Sequence, residues 1–282
     1  MEIALHLTSS ADLGNVKLGA AKRIYWGHEF CQNLIPVNEK TKRVLDLCRD
    51  RGSGFTFLSP FVTESGLSRL RKVFSFLRRE AFACEVVVND WGVLNLLERE
   101  FKGDFSIVMG RLLVQQLREP ELERIINRQA PVLARRENGS LAVFFHKLPS
   151  KAYQRAIKSS YANTGLAQEF LRGFSVKRVE FNNLLQGVDF SGIKLKKSLY
   201  TPFVNVSSGR FCPMLSKSQK IRRINVCRRE CLKFYDRLRS VSCARPLFKK
   251  GNTLFYMNPV RPGDKLLREV DRLVVQPGLL KD

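Results

Sequence analysis

The chain has 282 residues, of which 49 are Lys or Arg and 26 are Asp or Glu, giving a formal net charge of +23. Its 44% hydrophobic and 27% charged content is that of a soluble fold long enough to bury a full core. No apolar run approaches the roughly 20 residues that cross a bilayer, and Met1–Leu7 lacks the basic region and cleavage site of a signal peptide, so no membrane insertion and a cytoplasmic location are expected.

Glu2–Thr8 is rich in aliphatic residues and predicts an opening strand, followed by a polar loop with Gly14 and Gly19. Arg23–Trp26 predicts a second strand running into Gly27-His28-Glu29-Phe30-Cys31. Val37–Arg51 has the apolar spacing of an amphipathic helix that stops at Gly52. The alternation then repeats: strand Gly54–Leu58, helix Glu64–Arg79, strand Cys84–Val88, helix Val93–Phe101 and strand Phe105–Met109. Short, nearly continuous apolar strands separated by helices imply parallel strands covered on both faces.

Arg111–Arg136 reads as loop and helix punctuated by Pro120 and Pro131, and Leu141–Phe145 as another strand. Ala152–Gly173 is predicted helical with a break at Asn163–Gly165, followed by strand Val176–Phe181. Leu199–Val206 is extended and opens onto a cysteine-rich segment, 207–243. Strands are expected again near Thr253–Met257 and Asp271–Val275. Eight or nine strand segments suffice for one α/β, TIM-barrel-like (β/α)8 barrel spanning 1–282, with the cysteine-rich insertion in its C-terminal half.

Seven cysteines is an odd number in a chain too long to need disulfide staples, which points to reduced thiols that bind metal or react. Cys227 and Cys231, four residues apart, share one face of a helical turn, and Cys212 lies 15 residues before them. Three soft ligands can thus reach one metal centre beyond a strand's C-terminal end, where the βα loops of a barrel gather. Arg223, Arg228, Arg229 and Lys233 would offset thiolate charge. Two alternatives stand: buried free thiols used as small hydrophobes, or a structural zinc site drawn from Cys212, Cys227, Cys231 and Cys243. Cys48 and Cys84 read as packing residues.

Three segments, Ile24-Tyr25-Trp26-Gly27-His28-Glu29-Phe30-Cys31, Val88-Asn89-Asp90-Trp91-Gly92-Val93-Leu94-Asn95-Leu96-Leu97, and Cys212 with Cys227-x3-Cys231, occur in this order. Together they resemble the peptidase U32 family, most nearly its UbiV-like branch. The resemblance implies a TIM-barrel-like fold and a [4Fe-4S] cluster. It places the cluster ligands at Cys31, Cys212, Cys227 and Cys231. It further implies a part in oxygen-independent hydroxylation, of a ubiquinone precursor ring or a related substrate, with a paralogous U32 protein as heterodimer partner. Other members hydroxylate tRNA or rRNA bases, and older ones are labelled peptidases. This chain departs from the family in carrying Gln32-Asn33-Leu34 where basic residues tend to follow the first cysteine.

Asn89 and Asp90 end a strand and are candidates to handle a proton or substrate hydroxyl at the barrel mouth, although Asp90 equally suits a helix N-cap. Glu180, with Asn182, is a further rim candidate, His28 and Glu29 a possible polar shell around the cluster, His146 an acid-base candidate by position alone, and His6 a core residue. The net charge of +23 fits a polyanionic partner, RNA before an acidic protein. The sequence contains no Gly-x-Ser-x-Gly, no Gly-x4-Gly-Lys-[Ser/Thr] and no His-Glu-x-x-His, which removes serine hydrolase, P-loop and zincin readings.

Overall fold

The structure, a computed structural model, describes residues 1–8, 19, 21–127, 132–144, 149–216, 227–240 and 243–277. Five strands open the chain: β1 (Glu2–Leu7), β2 (Arg23–Gly27), β3 (Gly54–Leu58), β4 (Cys84–Val88) and β5 (Ser106–Met109). Three helices lie between them: α1 (Asn38–Arg51), α2 (Glu64–Arg79) and α3 (Trp91–Glu100). Helix α1 buries Val44, Leu45 and Cys48, and α2 buries Leu70, Val73, Phe74 and Leu77, the i, i+3, i+4, i+7 stripe that lays a helix against a sheet. Gly52 ends α1 in the left-handed conformation, φ +60°, as its position in the sequence predicts.

A more irregular stretch follows, with α4 (Leu122–Asn127), the antiparallel hairpin β6 (Val132–Arg135) and β7 (Leu141–Phe144), then α5 (Lys151–Ala156) and α6 (Gly165–Gly173). Strands β8 (Arg178–Asn182) and β9 (Lys196–Thr201) return to the barrel. After a cis Thr201–Pro202 bond the chain leaves it again as β10 (Phe203–Ser208), β11 (Asp236–Ser240), β12 (Cys243–Lys250) and β13 (Thr253–Met257). These four form an antiparallel sheet in the order β10-β13-β12-β11. Helix α7 (Asp264–Arg268) and β14 (Arg272–Val275) complete the chain.

Eight parallel strands close into one barrel in the order β1-β14-β9-β8-β5-β4-β3-β2, so the α/β, TIM-like reading of the sequence holds. Its strand membership differs from expectation at three places. Of the strands read from the sequence, Leu141–Phe145 lies outside the barrel, since β7 pairs with β6 among the described residues, and Thr253–Met257 belongs to the outer antiparallel sheet. The extended run Leu199–Val206 is two strands in two sheets, because the chain turns at Pro202, which has no amide N–H to continue a ladder.

The main core lies between the barrel and its helices, and a second, smaller cluster fills the barrel axis: Ala4, Tyr25, Leu58, Val87, Val108, Tyr200 and Val274, one from each of seven strands. The eighth strand, β8, contributes Glu180, whose Oε2 accepts a 2.8 Å hydrogen bond from the Tyr200 hydroxyl. Below this layer, at the N-terminal end of the strands, Arg272 bridges Glu2 (2.6 Å) and Glu85 (2.6 Å), and Arg23 pairs with Glu2 at 2.9 Å. No helix among the described residues is long and apolar enough to cross a membrane.

Candidate functional site at the barrel mouth

Above the axial layer, at the C-terminal ends of the strands, the inward residues become polar. Glu29, two residues past β2, accepts hydrogen bonds from Arg111 Nε (3.0 Å) and Nη2 (2.5 Å), and neither side chain has any solvent access. Arg111 Nη1 also donates to Asn182 Oδ1 (2.9 Å) and the Phe203 carbonyl (3.2 Å), while the guanidinium stacks 3.8 Å over Tyr200. Burial works against the Arg111 charge, but Glu29 outweighs it and holds the pKa above the usual value. Beneath this pair, burial first and the Glu29 charge second push Glu180 up to about 8, so it is largely protonated at neutral pH. Glu180 therefore sits inside the barrel as a neutral acid, one layer below the rim position expected of it.

Asn89 and Asp90 are used by the backbone around them. Asn89 donates to the Ser59 carbonyl (3.0 Å) and accepts from Leu112 N–H (3.2 Å), bracing the loops after β3 and β5. Gly110 has to remain glycine for this, since a Cβ there would lie 2.2 Å from Asn89 Oδ1. Asp90 caps α3, accepting from Gly92 N–H (2.7 Å) and Val93 N–H (3.3 Å), and its second oxygen accepts from Val62 N–H (3.2 Å). His6 faces the axis, bonded to Gly27 O and Gln276, in keeping with a core placement. His146 lies outside the described residues.

The antiparallel sheet sits against this mouth. Phe203 and Phe255 pack on Phe30 with Leu112 and Phe248 around them, and Phe30 meets Phe255 edge-on at 5.3 Å. The packing carries the cysteine segments to one side of the mouth. Asn252, in the β12–β13 turn, donates to the Phe30 carbonyl and to the Gly209 carbonyl, each at 2.6 Å. One side chain thereby joins the residue before Cys31 to the strand end that leads into Cys212. The preceding residue, Gly251, has its Cα against Cys231, where a Cβ would come within 3.5 Å of the sulfur. Gln32 Oε1 accepts from Thr63 N–H (2.8 Å), and Arg210 reaches the Val62 carbonyl (3.3 Å), tying both cysteine-bearing segments to the β3–α2 loop.

The thiols of Cys31, Cys212, Cys227 and Cys231 lie close enough to sense one another. Burial raises the Cys31 pKa, backbone N–H groups of Asn33 and Leu34 oppose this, and Cys227 and Cys212 raise it further. Cys231 is pushed up to about 12 by burial and then by Cys31, Cys212 and Cys227, against the opposing charge of Lys250. None of the four is in a disulfide. His28 lies beside Lys250 and Arg229, on the flank of Cys231, and burial first, then His6 and these cations, hold its imidazole neutral with a pKa of about 3. No three His, Cys, Asp or Glu side chains among the described residues close around a single point as one ion requires.

Cys243 is separated from this group by the length of a strand. It opens β12, whose other end leads into Gly251 beside Cys231, and eight residue steps of about 3.3 Å place its backbone roughly 25 Å away. Cys48 and Cys84 are buried packing residues, as their positions in the sequence suggest. The Glu29–Arg111 pair was not paired by sequence reasoning, because the partners stand 82 residues apart. The available signal was a carboxylate at the exit of β2 and an arginine at the exit of β5, two strands of one predicted barrel.

One solved structure resembles this chain over almost its whole length. It is a U32 peptidase. The two share 11% identity, covering 99% of this chain and 93% of that one, with a TM-score of 0.47. No family model matches the chain, and no curated protein matches it.

Proposed function

We propose that Cys31, Cys212, Cys227 and Cys231 together hold a [4Fe-4S] cluster at the barrel mouth, and that the protein acts in oxygen-independent hydroxylation as a U32-type component working with a paralogous partner. The observation that carries this reading is the proximity of four cysteine sulfurs, drawn from two distant parts of the chain, that raise one another's pKa. Around one zinc ion, four thiolates bound at about 2.3 Å stand roughly 3.8 Å apart. A cubane cluster instead spreads its ligands, one thiolate to each iron. Backbone N–H groups at Asn33 and Leu34 and the Lys250 ammonium stabilise negative sulfur, as such a cluster requires. When bound, the cluster would supply electrons or bind and activate the oxygen donor.

The protein's own residues supply the rest of the site. Asn252 fixes the Cys31 segment against the strand end before Cys212, the Phe30–Phe203–Phe255 packing excludes water from the barrel side, and neutral Glu180 holds a proton beneath the buried Glu29–Arg111 pair. A second reading, in which the surface docks tRNA or rRNA through phosphates, is favoured by the net charge of +23. Anaerobic purification with iron and sulfide analysis tests the first: about four of each per chain and visible absorbance are expected. Serine at Cys31, Cys212, Cys227 or Cys231 should abolish both, and Cys243→Ser should retain them. A colourless, iron-free anaerobic preparation, or equal loss from Cys243→Ser, would overturn the assignment.

A further inference from the structure

The buried charges around the mouth do not balance. Arg111 is neutralised by Glu29, and Arg245 by Glu123 at 2.8 Å. Arg118 has neither a carboxylate nor a hydrogen bond among the described residues, and its Nη1 is cut off from solvent without a partner. Glu180 supplies no counter-charge, because it is largely protonated. Burial and the neighbouring Arg111 lower the Arg118 pKa to about 10, the mark of a cation held where it is not stabilised. Leaving a guanidinium in this condition costs free energy that a bound anion would recover.

The surroundings of Arg118 are fixed on both sides. Gln116 Oε1 accepts from the Asn182 N–H (2.7 Å) and side chain (3.1 Å), locking the loop to the end of β8. Gln186 Nε2 donates to the Leu117 carbonyl at 2.6 Å, fixing the residue directly before Arg118. Gln115 takes the left-handed conformation, φ 55°, to let the chain make this turn. Near Arg118 on β13 is Tyr256, whose buried hydroxyl has no hydrogen bond of good geometry and is influenced by the Leu185 backbone and by the charges of Arg245, Glu123 and Arg118. Arg118 as a residue is half-buried, so part of its side chain is open to solvent while Nη1 lies inside.

We propose that Arg118, with the Tyr256 hydroxyl, is the binding site for an oxyanion, a carboxylate or phosphate of a small molecule that enters the barrel mouth. A planar guanidinium held at a pinned backbone position suits bidentate recognition of such a group, and a neighbouring phenol adds a third donor. The site does not depend on what the thiols hold.

The test uses the full-length protein, purified anaerobically, with thermal melting and calorimetric titration against inorganic phosphate and against benzoate at ionic strength matched with sodium chloride. Phosphate or benzoate at millimolar concentration should raise the melting temperature beyond chloride, and the tighter of the two identifies the source of the oxyanion. Arg118→Met should weaken that anion at least tenfold, Arg118→Lys should retain part of the binding, and Lys72→Met, which removes an exposed charge elsewhere, should leave it intact. In chloride alone Arg118→Met should melt no lower than the wild type, because the charge it removes has no partner. An anion effect no larger than that of chloride, an equal effect in Arg118→Met, or a melting temperature several degrees lower for Arg118→Met in chloride would overturn the assignment.

Discussion

Replacing Glu29 by Gln keeps the volume of the side chain and one acceptor but removes the charge that faces Arg111. Both partners are inaccessible to solvent, so no water can take over the role of the carboxylate. Arg111 would retain the Asn182 Oδ1 and Phe203 carbonyl bonds and its stacking on Tyr200, all of them dipolar or quadrupolar contacts. Breaking a buried pair in this way costs about 3–5 kcal/mol. Glu180 shifts the expectation to the lower end: the Glu29 charge is one cause of its raised pKa, and without it Glu180 ionises more readily and partly replaces the lost anion. Urea unfolding followed by circular dichroism measures the loss. At a slope of about 3 kcal/mol per molar, the midpoint should fall by roughly 1 M with the slope unchanged. The double variant Glu29→Leu with Arg111→Met should recover most of the stability, because it leaves no charge behind. A Glu29→Gln midpoint within 0.3 M of the wild type, or a double variant as unstable as the single one, would refute the claim that charge compensation holds the mouth together.

Two further outcomes follow from the site. Glu180 has a folded pKa of about 8 against an ordinary value of 4.5, so the unfolded chain releases its proton first as pH rises; stability from this group is complete below about pH 4.5 and lost progressively up to about pH 8. Glu180→Gln should flatten that part of the pH–stability profile and be more stable than the wild type at pH 8, and an unchanged profile would show that Glu180 is not the group responsible. Asp90→Ala should cost about 1–2 kcal/mol through loss of the α3 cap and the Val62 N–H bond, with iron content unchanged; a variant as stable as the wild type would remove the capping role and return Asp90 to the list of groups free for chemistry.

The barrel was legible because its strands are short apolar runs with helices of 3.6-residue period between them, and the bounds of β3, α2 and β4 agree to the residue with those read from the sequence. What local pattern does not carry is pairing. Leu141–Phe144 and Thr253–Met257 look like barrel strands, yet each pairs antiparallel outside it, and the choice is made by partners elsewhere in the chain. The charged interior was equally hidden. Glu85 and Glu180 stand within hydrophobic strands, and read alone they suggest solvated edges. Only closure of the barrel turns them inward, where Arg272 and Tyr200 meet them. Of the thiols, the spacing of Cys227 and Cys231 was visible, whereas the approach of Cys31 depends on Asn252, a residue with no recognisable signature in the sequence.

Strand β14 is the only link between β1 and β9, and it arrives some 270 residues after the strand it must join. A nascent chain therefore carries seven of eight staves around an open seam, with the carboxylates of Glu2 and Glu85 still lacking Arg272. The segments of the outer sheet, β10 to β13, all precede β14 in the chain, so they are synthesised before the seam can shut.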